Sequence, residues 1–285
     1  MEIIDMKRAV ERIIHAPKVS MGAMSLRQPL PIAGLQQLSP FILLHHFDFV
    51  MEPGHNIFDV PAHPHRGFSP ITYIFEGAVE HQDSLGNTKV ISDNEVQWIT
   101  AGRGLIHSEK AGKEFAEKGG SFQGVQLWIN LPKSEKMQTP SYQPLTSDEI
   151  VLIRKDKAEL RLVSGNYDGQ KGPAKSEVFT AMMRMETGGE FHFDFPETDN
   201  AAVYVLEGDV LINEAAEARQ NDLVIFKKSQ GTFSVKAIAG SKLLVLAGKP
   251  IDEPLVTHGP FVMNSQTEIL EAMKDYQEGK MGFLY

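Results

Sequence analysis

The stretch that decides the fold of this 285-residue chain begins with His63-Pro64-His65-Arg66-Gly67 and ends with Ala101-Gly102-Arg103-Gly104-Leu105-Ile106-His107-Ser108-Glu109. It holds two pairs of candidate metal ligands, His63 with His65 and His107 with Glu109. Side chains two residues apart on a β-strand point to the same face, so each pair can direct both members at one point. Imidazole nitrogens and a carboxylate oxygen are ligands that iron, zinc, manganese, nickel and copper accept. We therefore predict that these four side chains bind one metal ion.

The residues around this stretch alternate between apolar runs and turn signals. The apolar runs Phe41-Ile42-Leu43-Leu44, Ile71–Gly77 and Phe122–Leu131 predict strands, and Val79–Asp83 followed by Gly86-Asn87 predicts a hairpin. Many short strands with turns between them are typical of an all-β sandwich or barrel.

Two segments of the chain repeat each other. Tyr73-Ile74-Phe75-Glu76-Gly77 is echoed by Tyr204-Val205-Leu206-Glu207-Gly208, and Asn94-Glu95-Val96 is echoed in the same order by Asn221-Asp222-Leu223. Repeated segments in the same order indicate two copies of one β-domain.

A polar stretch, Pro132–Gln143, is predicted to be an exposed connector between the two copies. We expect a first domain at 1–135 that carries the metal site and a second domain at 136–285 without a complete one, although exchange of strands would blur this boundary.

The second copy differs at the candidate ligands. Alignment of the repeats places Ser234 at the position of His107 and Lys236 at that of Glu109. A lysine ammonium repels a metal cation. His192 and Asp194 keep the two-residue spacing of the first pair, but two ligands do not make a site.

Composition restricts the classes of function. The chain has 28 Lys plus Arg against 37 Asp plus Glu, a formal charge of -9, which disfavours direct binding to nucleic acid or anionic membranes. It has no cysteine, so any metal must use nitrogen and oxygen ligands. Residues 1–8 lack an export signal and no run is long enough for a transmembrane helix. We predict a soluble cytoplasmic protein, or a nuclear one in a eukaryotic cell.

The C-terminus departs from the β pattern. Ser265-Gln266-Thr267-Glu268 fits a capping box, and Gly279 is a suitable C-terminal cap. We expect a short helix whose apolar face, predicted from helical spacing, packs on a domain; its residues are Ile269, Leu270, Met273 and Tyr276.

Several blocks of the sequence resemble the pirin family of the cupin superfamily. The blocks are His63 to Phe68, Tyr73 with Glu76-Gly77, Glu80 to Asn87, Val96-Gln97-Trp98, Ala101 to Glu109, and Gly259 to Asn264. The resemblance implies a bicupin: two tandem antiparallel β-barrel (jelly-roll) domains with one mononuclear metal. It also implies Fe(II) as the metal, held at the positions of His63, His65, His107 and Glu109. One departure is Ser69, where relatives often carry Glu.

The resemblance implies two kinds of function. Some pirins open the ring of the flavonol quercetin with dioxygen, which would make this chain a quercetin 2,3-dioxygenase with an aromatic enol substrate and Glu109 as the base that takes the enol proton. Animal members act as nuclear cofactors, which would make it a metal- or redox-responsive regulator that binds a protein partner. A structural bicupin with a vestigial site is the third alternative, and the same ligands also suit other transition metals.

Further residues are candidates for supporting roles. Gln97, His81 and Glu80 are candidates to orient the ligands through hydrogen bonds. His45 and His46 are adjacent, so only one of them can face a pocket. Arg66 and Arg103 flank the candidate ligands; steering of an anionic substrate is one role open to them, but structural pairing with carboxylates is expected.

Overall fold

The computed structural model describes residues 7–22 and 24–284, and most of them lie in β-strands. Residues 1–6, on which the absence of an export signal partly depends, lie outside the described residues. The first half of the chain contains β1 (Val10–His15), β2 (Lys18–Met21), β3 (Met24–Leu30), β4 (Phe41–Met51), β5 (Asp59–His65), β6 (Phe68–Glu76), β7 (Val79–Asp83), β8 (Thr88–Ile91), β9 (Val96–Thr100), β10 (Leu105–Ala111), α1 (Lys113–Lys118), β11 (Gly120–Asn130) and β12 (Ser141–Leu145).

The second half adds shorter strands and a C-terminal helix. Its elements are β13 (Val151–Lys155), β14 (Ala158–Ser164), β15 (Asn166–Tyr167), β16 (Gln170–Lys171), β17 (Phe179–Met185), β18 (Glu190–Asp194), β19 (Asn200–Glu207), β20 (Val210–Ile212), β21 (Ala216–Ala218), β22 (Asp222–Phe226), β23 (Thr232–Ala237), β24 (Ser241–Gly248), β25 (Val256–His258), β26 (Phe261–Met263) and α2 (Gln266–Gln277). Within the described residues, no helix is long and apolar enough to cross a membrane.

The strands form two compact units, which we call the metal unit and the second unit. The metal unit comprises Lys18–Leu26, Pro40–Ser147 and Ile251–Tyr285, and the second unit comprises the rest of the described chain. The units therefore do not follow the predicted boundary at 135/136, because strands from each end of the chain join the unit formed mainly by the other half.

The metal unit is a sandwich of two antiparallel sheets. One sheet has the order β12-β9-β6-β11-β4-β3-β2, and the other has the order β5-β10-β7-β8. An aromatic cluster fills the space between them, with Phe58 5.6 Å from Phe47 and 5.1 Å from Phe122 between ring centroids. Each buried phenylalanine of this kind contributes about 1.5–3 kcal/mol of burial free energy.

The second unit repeats this plan with sheets ordered β1-β22-β19-β24-β17-β14-β13 and β18-β23-β20-β21. The predicted repeats coincide in detail. Asn94 and Asn221 both have positive φ, 64° and 70°. The backbone N–H of Asn94 donates to Ile74 and that of Asn221 to Val205, at 2.8 and 2.7 Å. The prediction of two cupin-type β-domains is confirmed.

The C-terminal helix α2 is present and packs within the metal unit. Ser265 caps it by accepting a hydrogen bond from the Glu268 backbone N–H, as the capping box predicts. Its buried residues are Ile269 and Ala272. The predicted apolar face was wrong in part, because Leu270 and Tyr276 are 58% and 39% exposed.

The connector after β11 differs from its prediction, because Lys136 and Pro140 are buried and Ser141–Gln143 belong to β12. Lys136 is 1% exposed, and its ammonium donates to the backbone carbonyls of Gly67 and Val262 and to the side-chain oxygen of Asn130. Three separate segments of the metal unit therefore meet at one buried cation. Burial lowers the pKa of Lys136 to about 8, while Glu253 and Glu268 oppose this shift.

Candidate metal centre

The first candidate ligand pair lies on β5 and the second on the neighbouring strand β10. The two strands are antiparallel, with His63 opposite His107 and His65 opposite Leu105. The register shifts between His107 and Glu109, so a bulge separates the two members of the second pair. The sequence thus brings residues far apart in the chain to one place on the four-stranded sheet.

Three imidazoles converge at this place. His63 Nε2 lies 3.1 Å from His65 Nε2 and 3.0 Å from His107 Nε2. His63, His65 and His107 form a group whose ligand atoms all lie within 4.8 Å of one another. Two nitrogens that bind one ion at about 2.1 Å and at a right angle stand about 3.0 Å apart. The spacing of the three nitrogens therefore fits a transition metal ion bound by all of them.

The ring environments leave these nitrogens available as ligands. His63 Nδ1 lies 2.9 Å from the Pro61 carbonyl, which places the ring proton on Nδ1 and leaves Nε2 as a lone pair. Burial lowers the pKa of His65 well below its ordinary value; His63 lowers it further, and a backbone hydrogen bond at Pro260 opposes the shift. Burial likewise lowers the pKa of His107, with smaller effects from the three neighbouring histidines. Neutral imidazole is the form that binds a metal.

Glu109 lies two residues after His107 on β10 but is not a member of that group. It is 2% exposed, and its carboxylate accepts hydrogen bonds through both oxygens. Oε1 accepts from the Gln97 amide and, at 3.3 Å, from the Thr72 hydroxyl. Oε2 accepts from the Gln126 amide at 3.3 Å. Its predicted role as a fourth ligand stays a proposal.

The donors to Glu109 form a row across the facing sheet. Gln97, Thr72 and Gln126 are opposite one another on β9, β6 and β11, and His45 follows on β4. Of the predicted supporting residues, Gln97 therefore reaches a candidate ligand. Thr72 and Gln126 were missed, although each is a polar residue within an apolar strand, and that pattern is a usable signal. Burial lowers the pKa of His45 to about 4.

Aromatic side chains pack against His65. Trp128 is half-buried; its ring lies 5.4 Å from His65 and 4.3 Å from Phe68 between centroids. The Trp128 indole N–H donates to the Gln126 side-chain oxygen at 3.2 Å. Trp128 therefore contacts one candidate ligand directly and helps to orient a donor to Glu109.

The turn after His65 is fixed by the C-terminal segment of the metal unit. Arg66 Nη2 forms a 2.9 Å ion pair with Asp275 of α2, and its Nε donates to the Arg103 carbonyl. Gly67 has φ 88°, and a Cβ there would lie 2.0 Å from the Val262 carbonyl oxygen. Glycine is required because the strand β26 passes against the turn. Arg66 thus has the structural pairing that was expected of it.

Two other residues singled out from the sequence, Glu80 and Ser69, have other partners. Glu80 pairs with Lys110 at 3.0 Å and does not reach the ligands. Ser69 is buried, with its hydroxyl 3.5 Å from that of Thr100.

The second unit has different side chains at the positions that match the candidate ligands. His192 is opposite Ser234 on β18 and β23, as His63 is opposite His107, and Lys236 is opposite Glu190. The His192 side chain is 64% exposed, and Lys236 Nζ lies 4.0 Å from the Glu190 carboxylate. The alignment of repeats had placed Ser234 and Lys236 at these positions.

Comparison with known proteins identifies relatives along nearly the whole chain. A family model described as Pirin matches residues 23–129, and one described as Pirin C-terminal cupin domain matches residues 180–282. A pirin-like protein from Solanum lycopersicum is 38% identical over 259 residues, which cover 87% of this chain and 84% of the relative.

Solved structures agree with this assignment. A crystal structure of quercetin 2,3-dioxygenase from Acinetobacter baumannii superposes with a TM-score of 0.91 at 34% identity, covering 98% of this chain and 100% of that one. The nickel(II) complex of the bacterial pirin YhhW from Escherichia coli shares the fold, with a TM-score of 0.67 at 20% identity over 84% of this chain and 99% of that one. With two cupin-type domains and matches to both pirin family models, this chain belongs to the pirin family.

Proposed function

We propose that this protein is a metal-dependent dioxygenase that opens the ring of a flavonol of the quercetin type. The observation that carries the proposal is the convergence of the Nε2 atoms of His63, His65 and His107, two pairs of which are 3.0 and 3.1 Å apart. The similarity to an Acinetobacter baumannii quercetin 2,3-dioxygenase supports the choice of substrate class.

The three histidines would hold the metal, with Glu109 as a fourth ligand and Fe(II) as the first candidate ion. When bound, such an ion supplies open coordination positions and redox chemistry toward dioxygen. Oxygen and nitrogen ligands alone suit several divalent ions, so the ligand set by itself leaves nickel, manganese and zinc as alternatives.

Glu109 is the candidate for the base that takes the proton of the flavonol enol. A carboxylate has about four lone-pair directions. Two donors occupy Oε1 and one occupies Oε2, which leaves one direction free on Oε2. That direction serves either as a ligand to the ion or as a base, so the two roles alternate rather than coincide.

The overall reaction follows from the proposed substrate. Loss of the enol proton to Glu109 leaves an electron-rich ring that dioxygen attacks. Both oxygen atoms enter the product, two carbon–carbon bonds of the ring break, and the carbon between them leaves as carbon monoxide. The half-buried Trp128 beside His65 offers a face for the flat aromatic substrate.

The test is aerobic incubation of the iron-loaded protein with quercetin. We expect loss of the flavonol absorbance together with release of carbon monoxide. His63→Ala should abolish turnover, whereas His192→Ala, which removes the histidine at the matching position of the second unit, should leave it unchanged. If the wild-type protein turns over quercetin no faster than His63→Ala, the flavonol assignment is wrong.

A further inference from the structure

One sequence block that carried the family resemblance, Glu80 to Asn87, contains no proposed ligand. One of its residues nevertheless contacts the proposed ligand His107. His81 on β7 and His107 on β10 are neighbours in the four-stranded sheet, and their Nδ1 atoms lie 3.4 Å apart. The other ring nitrogen of His81, Nε2, lies 2.9 Å from Asp83 Oδ2. The result is a continuous chain from a carboxylate through two imidazoles.

The three side chains of this hydrogen-bonded series, Asp83, His81 and His107, are shielded from water. His81 and His107 are fully buried, and Asp83 is 3% exposed. The His81 ring stacks on Tyr142 of β12, with centroids 4.2 Å apart and planes 3° from parallel. The rings are therefore held in place, and their buried nitrogens depend on one another for hydrogen bonds.

Asp83 is fixed as an acceptor by its other partners. Its Oδ1 accepts from the backbone N–H groups of Leu85 and Asn87, at 2.9 and 3.1 Å, and the Asn87 amide donates to both oxygens. All these contacts come from N–H donors in the hairpin turn between β7 and β8. A carboxylate held in this way can only accept from His81 as well.

The direction of every hydrogen bond in the chain then follows. A neutral imidazole has one donor and one acceptor nitrogen. Since Asp83 accepts, a neutral His81 carries its proton on Nε2 and presents Nδ1 as an acceptor. His107 must therefore carry its own proton on Nδ1, which leaves its Nε2 as a lone pair 3.0 Å from His63 Nε2.

We propose that Asp83 and His81 are positioning residues that set the tautomer of His107, so that its Nε2 is available to the metal. A hydrogen-bond partner on the far nitrogen of a ligand histidine is a common means of fixing its tautomer and orientation. Here the partner is a second histidine, and the carboxylate acts through it. The inference depends on the metal-binding part of the proposed function but not on the flavonol substrate.

Asp83→Asn is the decisive variant. The asparagine side chain can direct its NH2 group at His81 Nε2, and this would reverse the direction of the hydrogen bonds. His81 Nδ1 would become the donor, and the His107 proton would move to Nε2. We expect the affinity for Fe(II) or Ni(II), measured by chelator competition, to fall by about 10- to 100-fold. Asn87→Ser is the matched control, because it removes contacts to Asp83 in the same turn but leaves the Asp83 carboxylate as the partner of His81 Nε2.

The direct measurement is the 15N NMR spectrum of the histidine rings in metal-free protein at neutral pH. Wild type and Asn87→Ser should show His107 protonated on Nδ1, and Asp83→Asn should show it protonated on Nε2. If Asp83→Asn keeps the wild-type tautomer and the metal affinity of Asn87→Ser, the inference is wrong.

A second variant serves if Asp83→Asn does not fold. His81→Phe keeps a ring against Tyr142 but removes the acceptor for His107 Nδ1, so metal affinity should again fall by about 10-fold or more. Wild-type affinity in His81→Phe would overturn the inference. A protein with the expected tautomers and metal affinity that never consumes quercetin would instead count against the proposed substrate alone.

Discussion

Glu109 shows how one side chain of the centre depends on residues from the opposite sheet. The Gln97 amide donates to Glu109 and, at 3.1 Å, to the Thr72 hydroxyl, which itself donates to Glu109. One amide therefore orients the carboxylate both directly and through a neighbour. All three side chains are buried, so water cannot replace a lost donor without entering the sandwich.

Gln97→Leu tests this dependence. The carboxylate would lose one of its two amide donors and gain freedom to rotate, so we expect metal affinity to fall by about 10- to 100-fold while the fold persists. Chelator competition gives the affinity, and circular dichroism reports the fold.

Gln82→Leu provides the matched control. It removes an amide of the same size from β7, where Gln82 reaches Glu80 at 3.4 Å rather than Glu109. Equal metal affinity in the two variants would mean that Gln97 does not position Glu109.

At the scale of elements, the sequence alone was enough to predict those features of the structure that depend on neighbouring residues. Val79–Asp83 forms β7 with the bounds predicted, and Gly86 has the positive φ that the hairpin turn requires. The capping box at Ser265 likewise involves residues three apart. Alternation, turn chemistry and caps act over a few residues, and the sequence displays them directly.

Contacts between distant elements could not be predicted in the same way. The partner of Arg66 is Asp275, and Lys136 lies among Gly67, Asn130 and Val262. Nothing near Lys136 in the chain indicates burial, since its neighbours Ser134 and Glu135 are polar and exposed. The grouping of His63, His65 and His107 was an exception among long-range contacts, because histidines at this spacing have a shared chemical use as metal ligands.

Lys136→Met should destabilise the metal unit. Two backbone carbonyls and the Asn130 side-chain oxygen would remain buried without their donor, whereas the cost of burying the ammonium would disappear. Because unsatisfied buried acceptors cost about 1–3 kcal/mol each, we expect a net loss of about 2–4 kcal/mol in the free energy of unfolding. Chemical denaturation measures it.

The exposed Lys133 supplies the control for this change. Lys133→Met alters the same connector and the same net charge without a buried ammonium. A stability for Lys136→Met within about 0.5 kcal/mol of that control would show that the buried contacts contribute little.

At the scale of the whole molecule, the buried histidines couple stability to pH. The pKa values of His65 and His107 are well below their ordinary 6.5 in the folded protein, mainly through burial. Below about pH 6.5 the unfolded chain therefore binds protons that the folded protein does not. The free energy of unfolding is largest above that pH and falls as the pH is lowered.

For metal-free protein we expect a loss of up to about 1.4 kcal/mol per pH unit for each of these histidines as the pH falls from 6.5 toward 5. Denaturation at several pH values measures the slope. His107→Gln should reduce it by one histidine's share, whereas His192→Gln, which changes an exposed ring, should not. A stability that is constant between pH 7 and pH 5 would contradict this assignment of buried, neutral rings.

The division of the chain between the two units also determines when each can be completed during synthesis. The metal unit needs Ile251–Tyr285, whereas the second unit ends at Pro250. Domains that are continuous in the chain usually fold in the order in which the ribosome produces them, N-terminal first. Here most of the unit that carries the candidate metal ligands is translated before most of the second unit, yet β25, β26 and α2 are translated after it. The second unit can therefore close first, and a ribosome that stalls after Pro250 would release a chain whose metal unit lacks the partner of Arg66.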